Sequence, residues 1–323
     1  MKKDFRTFGL ALPFSILALT ATVLRTIACF TDMNYGSGFF GTATLVHISD
    51  AIMVILVFSL IASLFLKVEK KHSEHSFAGP LVYLPTGVFA MSLLFLAMDI
   101  IVYVAEKASR FASTSIFSER SFIVAIAAAI FALLTIVYLA LVAFISAPRS
   151  LIRANFGMLA ALFFALYTAF VYFRAGAPIN QPQRILTEMT MLAAALFFLE
   201  ETRISLGRER WRGYFILGAI TALLSLYTAL PVLLVYVFRA KVLSSSVAEL
   251  IFLIALLAFS ISRLLHTLNL SDGSPSPLAA AIDAHDSPDT AEEDVEDNFL
   301  QISIDDVADE GERQIENEED SSN

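Results

Sequence analysis

The chain has 323 residues, 57% of them hydrophobic and only 16% charged, with a net charge of −9. Soluble domains carry about 25% charged residues, so this composition, with a mean hydropathy of +0.71, excludes an ordinary soluble domain and leaves no nucleic-acid partner to expect. A single cysteine, Cys29, excludes an internal disulfide and a thiolate metal cluster.

The charge is divided along the chain. Residues 1–270 hold 21 Lys and Arg against 13 Asp and Glu, whereas residues 271–323 hold Arg313 against 18 acids. The first part, at +8, is expected to be a transmembrane domain. The second, at −17, has too little apolar surface to fold alone and reads as a disordered acidic tail.

The basic start MKKDFR is followed by an apolar stretch too long for the core of a signal peptide and interrupted by Arg25, so it reads as an uncleaved first span. About eight stretches are long enough to cross a bilayer: 8–30, 42–66, 80–105, 121–146, 154–174, 185–206, 212–238 and 247–268. The fold class is therefore all-α, a polytopic transmembrane helical bundle. Short loops make sequential helices antiparallel neighbours. Alternate loops carry 13 and 7 Lys and Arg, which places the N-terminus and the C-terminus on the cytoplasmic side of a multi-pass membrane protein.

Spans three and seven end alike, in Ile101-Val102-Tyr103-Val104 and Leu234-Val235-Tyr236-Val237, and spans one and five each carry an Arg near the outer end (Arg25, Arg174). A 4+4 repeat and chance likeness of apolar helices both account for this. Span six is unusual, because its apolar run Met189 to Leu199 lies between Glu188 and the group Glu200, Glu201 and Arg203. Charges at that depth snorkel, pair or face a wet cavity. In span seven, Tyr214, Gly218, Thr221, Ser225 and Thr228 form one stripe of mostly small, weakly polar residues. That is the pattern of a helix–helix seam, and Pro231 beyond it is expected to bend the outer third.

Arg25 followed by TDMNYGSGFFG, with LFFLEETRISLGRERWR later, resembles an uncharacterised family of polytopic membrane proteins from anaerobic Gram-positive, clostridia-like bacteria. The resemblance covers most of residues 8–240 and implies a bacterial plasma membrane; it implies no activity.

Ranked by depth, an outer layer holds Arg25, His47, Asp50, Asp99, Glu188 and Glu249, and an inner layer holds Glu200, Glu201, Arg203, Arg263 and His266. Arg25, His47, Asp50, Asp99 and Glu188 form the candidate polar cluster, either a ligand or ion site or a set of structural pairs. Arg25 and Asp50 fall at similar depth on neighbouring helices, with Thr22 and His47 as further partners. Glu188, Glu249 and the inner layer lie near the interfaces, where snorkelling or mutual pairing suffices.

No catalytic or cofactor signature accompanies these charges. HExxH and CxxC spacings are absent, so no metal is expected. Gly36-Ser37-Gly38 is an external turn without the Lys-Ser/Thr of a phosphate loop, and no Gly-x-Ser-x-Gly elbow occurs. The sequence thus favours a non-enzymatic binding, accessory or scaffold module embedded in the lipid bilayer. Its tail would offer Phe299, Leu300, Ile302 and Ile304 to a cytoplasmic protein, by strand addition or in a groove. The alternative is a secondary transporter or permease with an outer-leaflet polar site around Arg25, Asp50 and Asp99.

Overall fold

The computed structural model describes residues 4–35, 37–42, 44–63, 80–110, 120–144, 151–174, 178–206, 211–239 and 246–270. The acidic tail, with Phe299, Leu300, Ile302 and Ile304, lies outside them.

Among the described residues, eight helices occupy the expected spans: α1 (Asp4–Thr31), α2 (Thr44–Ser63), α3 (Pro80–Arg110), α4 (Arg120–Phe144), α5 (Leu151–Phe173), α6 (Pro182–Ser205), α7 (Trp211–Arg239) and α8 (Val247–Leu270). Continuous apolar runs form helices because hydrocarbon offers nothing to an unpaired backbone amide, and the helix pairs every one internally. Seven of the eight are long and apolar enough to cross a membrane. The exception, α6, has 24 residues, about 36 Å of helix, but carries Arg184, Glu188, Glu200, Glu201 and Arg203. It packs between α5 and α7, with Arg184, Glu200 and Glu201 buried. The stretch around Pro231 stays helical, and α7 continues to Arg239.

A small antiparallel hairpin, β1 (Met33–Asn34) with β2 (Phe39–Phe40), joins α1 to α2. Gly38 within it has φ of +76°, and a Cβ there would lie 1.8 Å from the Gln181 amide, so both the backbone and the close approach require glycine. This contact brings the hairpin over the start of α6. The β1–β2 hairpin thus marks one end of the bundle, the hairpin end.

The helices α3, α4, α5, α6, α7 and α8 each contact the next, and α8 closes back on α3. They form a six-helix ring. The α1–α2 pair stands outside it, docked through α7. The two sequence halves therefore have different neighbours in space: α6 packs on both α5 and α7, whereas the corresponding α2 packs on α1 and α7. Large apolar side chains such as Phe58, Leu84, Leu151, Met158 and Val237 are exposed on the outer surface, where lipid would cover them.

Aromatic rings fill the middle of the ring. Phe89 of α3 stacks against Phe164 of α5, Phe198 of α6, and Phe252 and Phe259 of α8, with centroids from 4.9 to 6.5 Å away. Phe198 and Phe259 lie parallel at 5.5 Å. All five are fully buried, so the bundle centre is a packed plug. The stripe of Tyr214, Gly218, Thr221, Ser225 and Thr228 is buried along α7. It packs as a seam: Gly218 admits Phe197 of α6, and the Thr228 hydroxyl meets that of Thr190 at 3.2 Å.

Candidate functional site

Among the described residues, three clusters of charged side chains differ in their place in the bundle. The first joins α1, α2 and α7. Arg25 Nη1 donates to Asp50 Oδ1 at 3.1 Å, and the Tyr227 hydroxyl donates to the same oxygen at 2.5 Å. The Arg25 guanidinium lies 4.9 Å from the Tyr227 ring centre and 5.7 Å from that of Phe40, so two aromatic faces replace its water. Ser49 has one proton to give, with the Tyr227 hydroxyl and, at 3.0 Å, the Ala21 carbonyl both in reach. Arg25 is 1% exposed, whereas Asp50 is 41% exposed. The site is thus a docking joint with an acidic edge open to the surroundings.

The second lies inside the ring at the hairpin end. Glu249, in the first turn of α8, accepts from Tyr167 Oη at 3.2 Å and from Thr187 Oγ1 at 3.3 Å. Arg174, just past α5, brings Nη1 to 3.9 Å of the same carboxylate while its guanidinium lies over the Tyr103 and Phe170 rings. Asp99 of α3 is half-buried and within electrostatic reach of Glu249 and Tyr167.

The third lies inside the ring at the opposite end. Glu201 Oε1 is 3.3 Å from Arg263 Nη2 and 3.7 Å from Arg153 Nη2, and all three side chains are fully buried. The hydroxyl-bearing rings of Tyr138 and Tyr214 are within electrostatic reach of Glu201. Taking three ionised groups out of water costs several kcal/mol each, offset only by close mutual attraction.

The two interior sites are linked by the same helices. Tyr167 and Arg153 are 14 residues apart on α5, Thr187 and Glu201 on α6, and Glu249 and Arg263 on α8. At about 1.5 Å per residue that places the two layers about 21 Å apart, with the phenylalanine plug between them.

The five residues grouped from sequence do not make one cluster. Arg25 and Asp50 pair in the docking joint. His47 is exposed on α2, and Thr22 donates instead to the Ala18 carbonyl, so neither serves Asp50 as expected. Asp99 belongs with Glu249. Glu188 is held by Arg184 of its own helix at 3.4 Å, and Arg184 also donates to the Tyr172 carbonyl.

Glu249, Glu201 and Arg263, read from sequence as interfacial, are corrected to the ring interior, and Arg153 at the start of α5 joins them. The signal that marks them is phase. Arg153, Gly157, Ala160 and Phe164 lie on one stripe of α5, as do Glu249, Phe252, Leu256, Phe259 and Arg263 on α8. Charges in register with the aromatic core must face it. Among the described residues, no group of three or more His, Cys, Asp or Glu is placed to hold a metal ion.

No protein-family model, no curated protein and no solved structure matches the chain. The fold and its sites define a multi-pass helical membrane protein with a closed ring and ionisable side chains in its interior.

Proposed function

We propose that the chain is a secondary transporter, a permease whose substrate path runs along the axis of the six-helix ring. One observation carries this reading: ionisable side chains face the ring interior at two depths on shared helices, on either side of an aromatic plug. A bundle that only anchored a partner would gain more from an apolar interior, because buried ion pairs are weak stabilisers. Intramembrane charges on an inner wall instead mark substrate or ion pathways. The reading moves the site from Arg25, Asp50 and Asp99 to Glu249, Arg174 and Asp99 at one end and Arg153, Glu201 and Arg263 at the other. It assigns transport and no bond-making chemistry. The resemblance to membrane proteins of clostridia-like bacteria supports a bacterial plasma membrane, and the distribution of Lys and Arg supports cytoplasmic termini.

The accessory-module reading draws on the acidic tail and its apolar patch. Reconstitution separates the two. Full-length protein in liposomes, challenged with gradients of small organic anions and cations, should give charge movement or uptake that Phe198→Trp or Glu201→Gln abolishes. Liposomes indistinguishable from empty ones across the panel, from protein that retains its fold, would set the transporter aside in favour of the accessory module.

A further inference from the structure

We propose that Glu249 is a proton-binding site, exchanging a proton with the solution at the hairpin end and using Arg174 as a counter-ion that is released when the proton arrives. In its purpose this rests on the transporter reading, because it makes the proton the driving ion. Its chemistry rests on the site alone.

The carboxylate is 6% exposed, and both of its oxygens accept from hydroxyls, Tyr167 on one and Thr187 on the other. These neutral donors serve the ionised acid. When one oxygen takes a proton, the other still accepts, and the hydroxyl beside the protonated one can turn to accept. The site therefore accommodates both states without rebuilding. Arg174 stands at 3.9 Å, in ion-pair range but beyond a hydrogen bond, and it is 29% exposed on its aromatic shelf. It is placed to leave.

The surrounding groups set the balance. From α3 come Asp99 and Tyr103, the latter beneath Arg174. From α5 come Tyr167 and Arg174. From α6 come Thr187 and, one residue on, Glu188, which Arg184 already neutralises. The outer end of α7 carries Tyr236 and Arg239, both exposed, with Arg239 over Phe30 on the α1 side. On α8 itself, the Ser246 hydroxyl caps the Glu249 amide at 3.1 Å.

Glu249, Asp99 and Arg174 together carry two negative charges and one positive. One proton converts Glu249 to a neutral acid and leaves Arg174 to Asp99, so the site becomes neutral, the less costly state in a low-dielectric interior. Arg174 is the first residue after α5, so its release frees that helix end from the start of α8. A metal ion fits less well, because hydroxyl donors already occupy both carboxylate oxygens and Arg174 fills the cation's place.

Infrared difference spectroscopy of the full-length protein in lipid, between acid and alkaline buffer, reads the proton directly. A protonated-carboxyl band should appear on acidification and be lost in Glu249→Gln. In Glu249→Asp, the variant to use if the amide fails to fold, the band should persist at a shifted frequency. Arg174→Gln should move its midpoint to higher pH and Asp99→Asn to lower pH, since the first removes a charge favouring the carboxylate and the second one opposing it. A band unchanged in Glu249→Gln or Glu249→Asp, or a midpoint that neither neighbour moves, overturns the proposal. So does a spectral change produced by sodium at fixed pH and not by acid. The spectrum needs no substrate: a titrating Glu249 in a protein that moves nothing would sink the transporter alone, and transport with a silent Glu249 would sink the proton site alone.

Discussion

Arg25 of α1 and Asp50 of α2 meet at 3.1 Å, and a third helix completes the pair: Tyr227 of α7 gives its hydroxyl to the carboxylate and its ring face to the guanidinium. The helices α1 and α2 pack on the ring through α7, so this joint concentrates the polar part of that packing. At the opposite end of α2, Arg212 of α7 donates to the Ser63 carbonyl, giving a second fastening.

Asp50→Ala should lower the thermal stability of detergent-extracted protein by about 1–3 kcal/mol, because it strands Arg25 between two rings. Tyr227→Phe should cost about 1 kcal/mol, since the ring face survives and only the hydrogen bond goes. The exchange Arg25→Asp with Asp50→Arg should recover only part of the loss. It restores opposite charges but sets a carboxylate against the negative face of Tyr227. Asp50→Ala as stable as the parent would show that the joint contributes nothing.

The interior triad predicts a larger effect with a different rescue. Glu201→Ala leaves two guanidinium groups together in a fully buried site, and breaking such an assembly costs about 3–5 kcal/mol. Replacing all three at once, Arg153→Met, Glu201→Leu and Arg263→Leu, should return the melting temperature to near that of the parent, as apolar replacements of buried ion networks can. Transport should remain lost in the rescued protein. If transport survives, the charges serve the fold alone.

Much of this architecture was legible in the sequence. Span boundaries were, because a helix must match the bilayer, and the Arg25–Asp50 pair was, because hairpin helices bring matching depths together. Two things were not. Tyr227 lies 177 residues from Asp50, and nothing local announces that α7 will pack on the α1–α2 hairpin. The closure of α8 on α3 is equally remote. The interior position of the charges was missed for another reason: Glu249, Glu201 and Arg263 were placed by distance from a helix end, which measures depth and says nothing of direction. For Glu249 and Arg263, register with Phe252 and Phe259 carries the direction.

Two glycines give a contrast in packing. A Cβ on Gly157 of α5 would stand 2.7 Å from Thr202 Oγ1 and 3.3 Å from the Tyr138 ring, and Thr202 is held by its bond to the Phe198 carbonyl. Gly157→Ala should therefore push α5 off α6 and cost about 1–3 kcal/mol. A Cβ on Gly87 of α3 meets nothing within 4 Å. Gly87→Ala should be neutral or stabilise by about 0.5–1 kcal/mol, as a glycine in a helix interior costs that much against alanine. Melting curves of the two variants beside the parent decide it, and equal shifts would contradict the close α5–α6 approach.

Cys29 decides how the bundle is threaded, though not by direct labelling. It is 2% exposed, and its own carbonyl accepts from Tyr35 Oη at 2.9 Å beneath the hairpin. An impermeant maleimide should leave the native chain unlabelled on intact cells, and label it once the protein is unfolded. Replacing Cys29→Ser clears the background. Ser37→Cys then sets one thiol on the hairpin, where Ser37 is exposed, and Ser287→Cys sets one in the acidic tail. If the loops rich in Lys and Arg face the cytoplasm, Ser37→Cys reacts from outside, and Ser287→Cys reacts only after the membrane is opened. The reverse pattern would invert the bundle. Glu249 and Arg174 share the hairpin end, so their site would then face the cytoplasm, and the Arg153–Glu201–Arg263 triad would face outward. The same two labels thus fix which interior site meets the exterior.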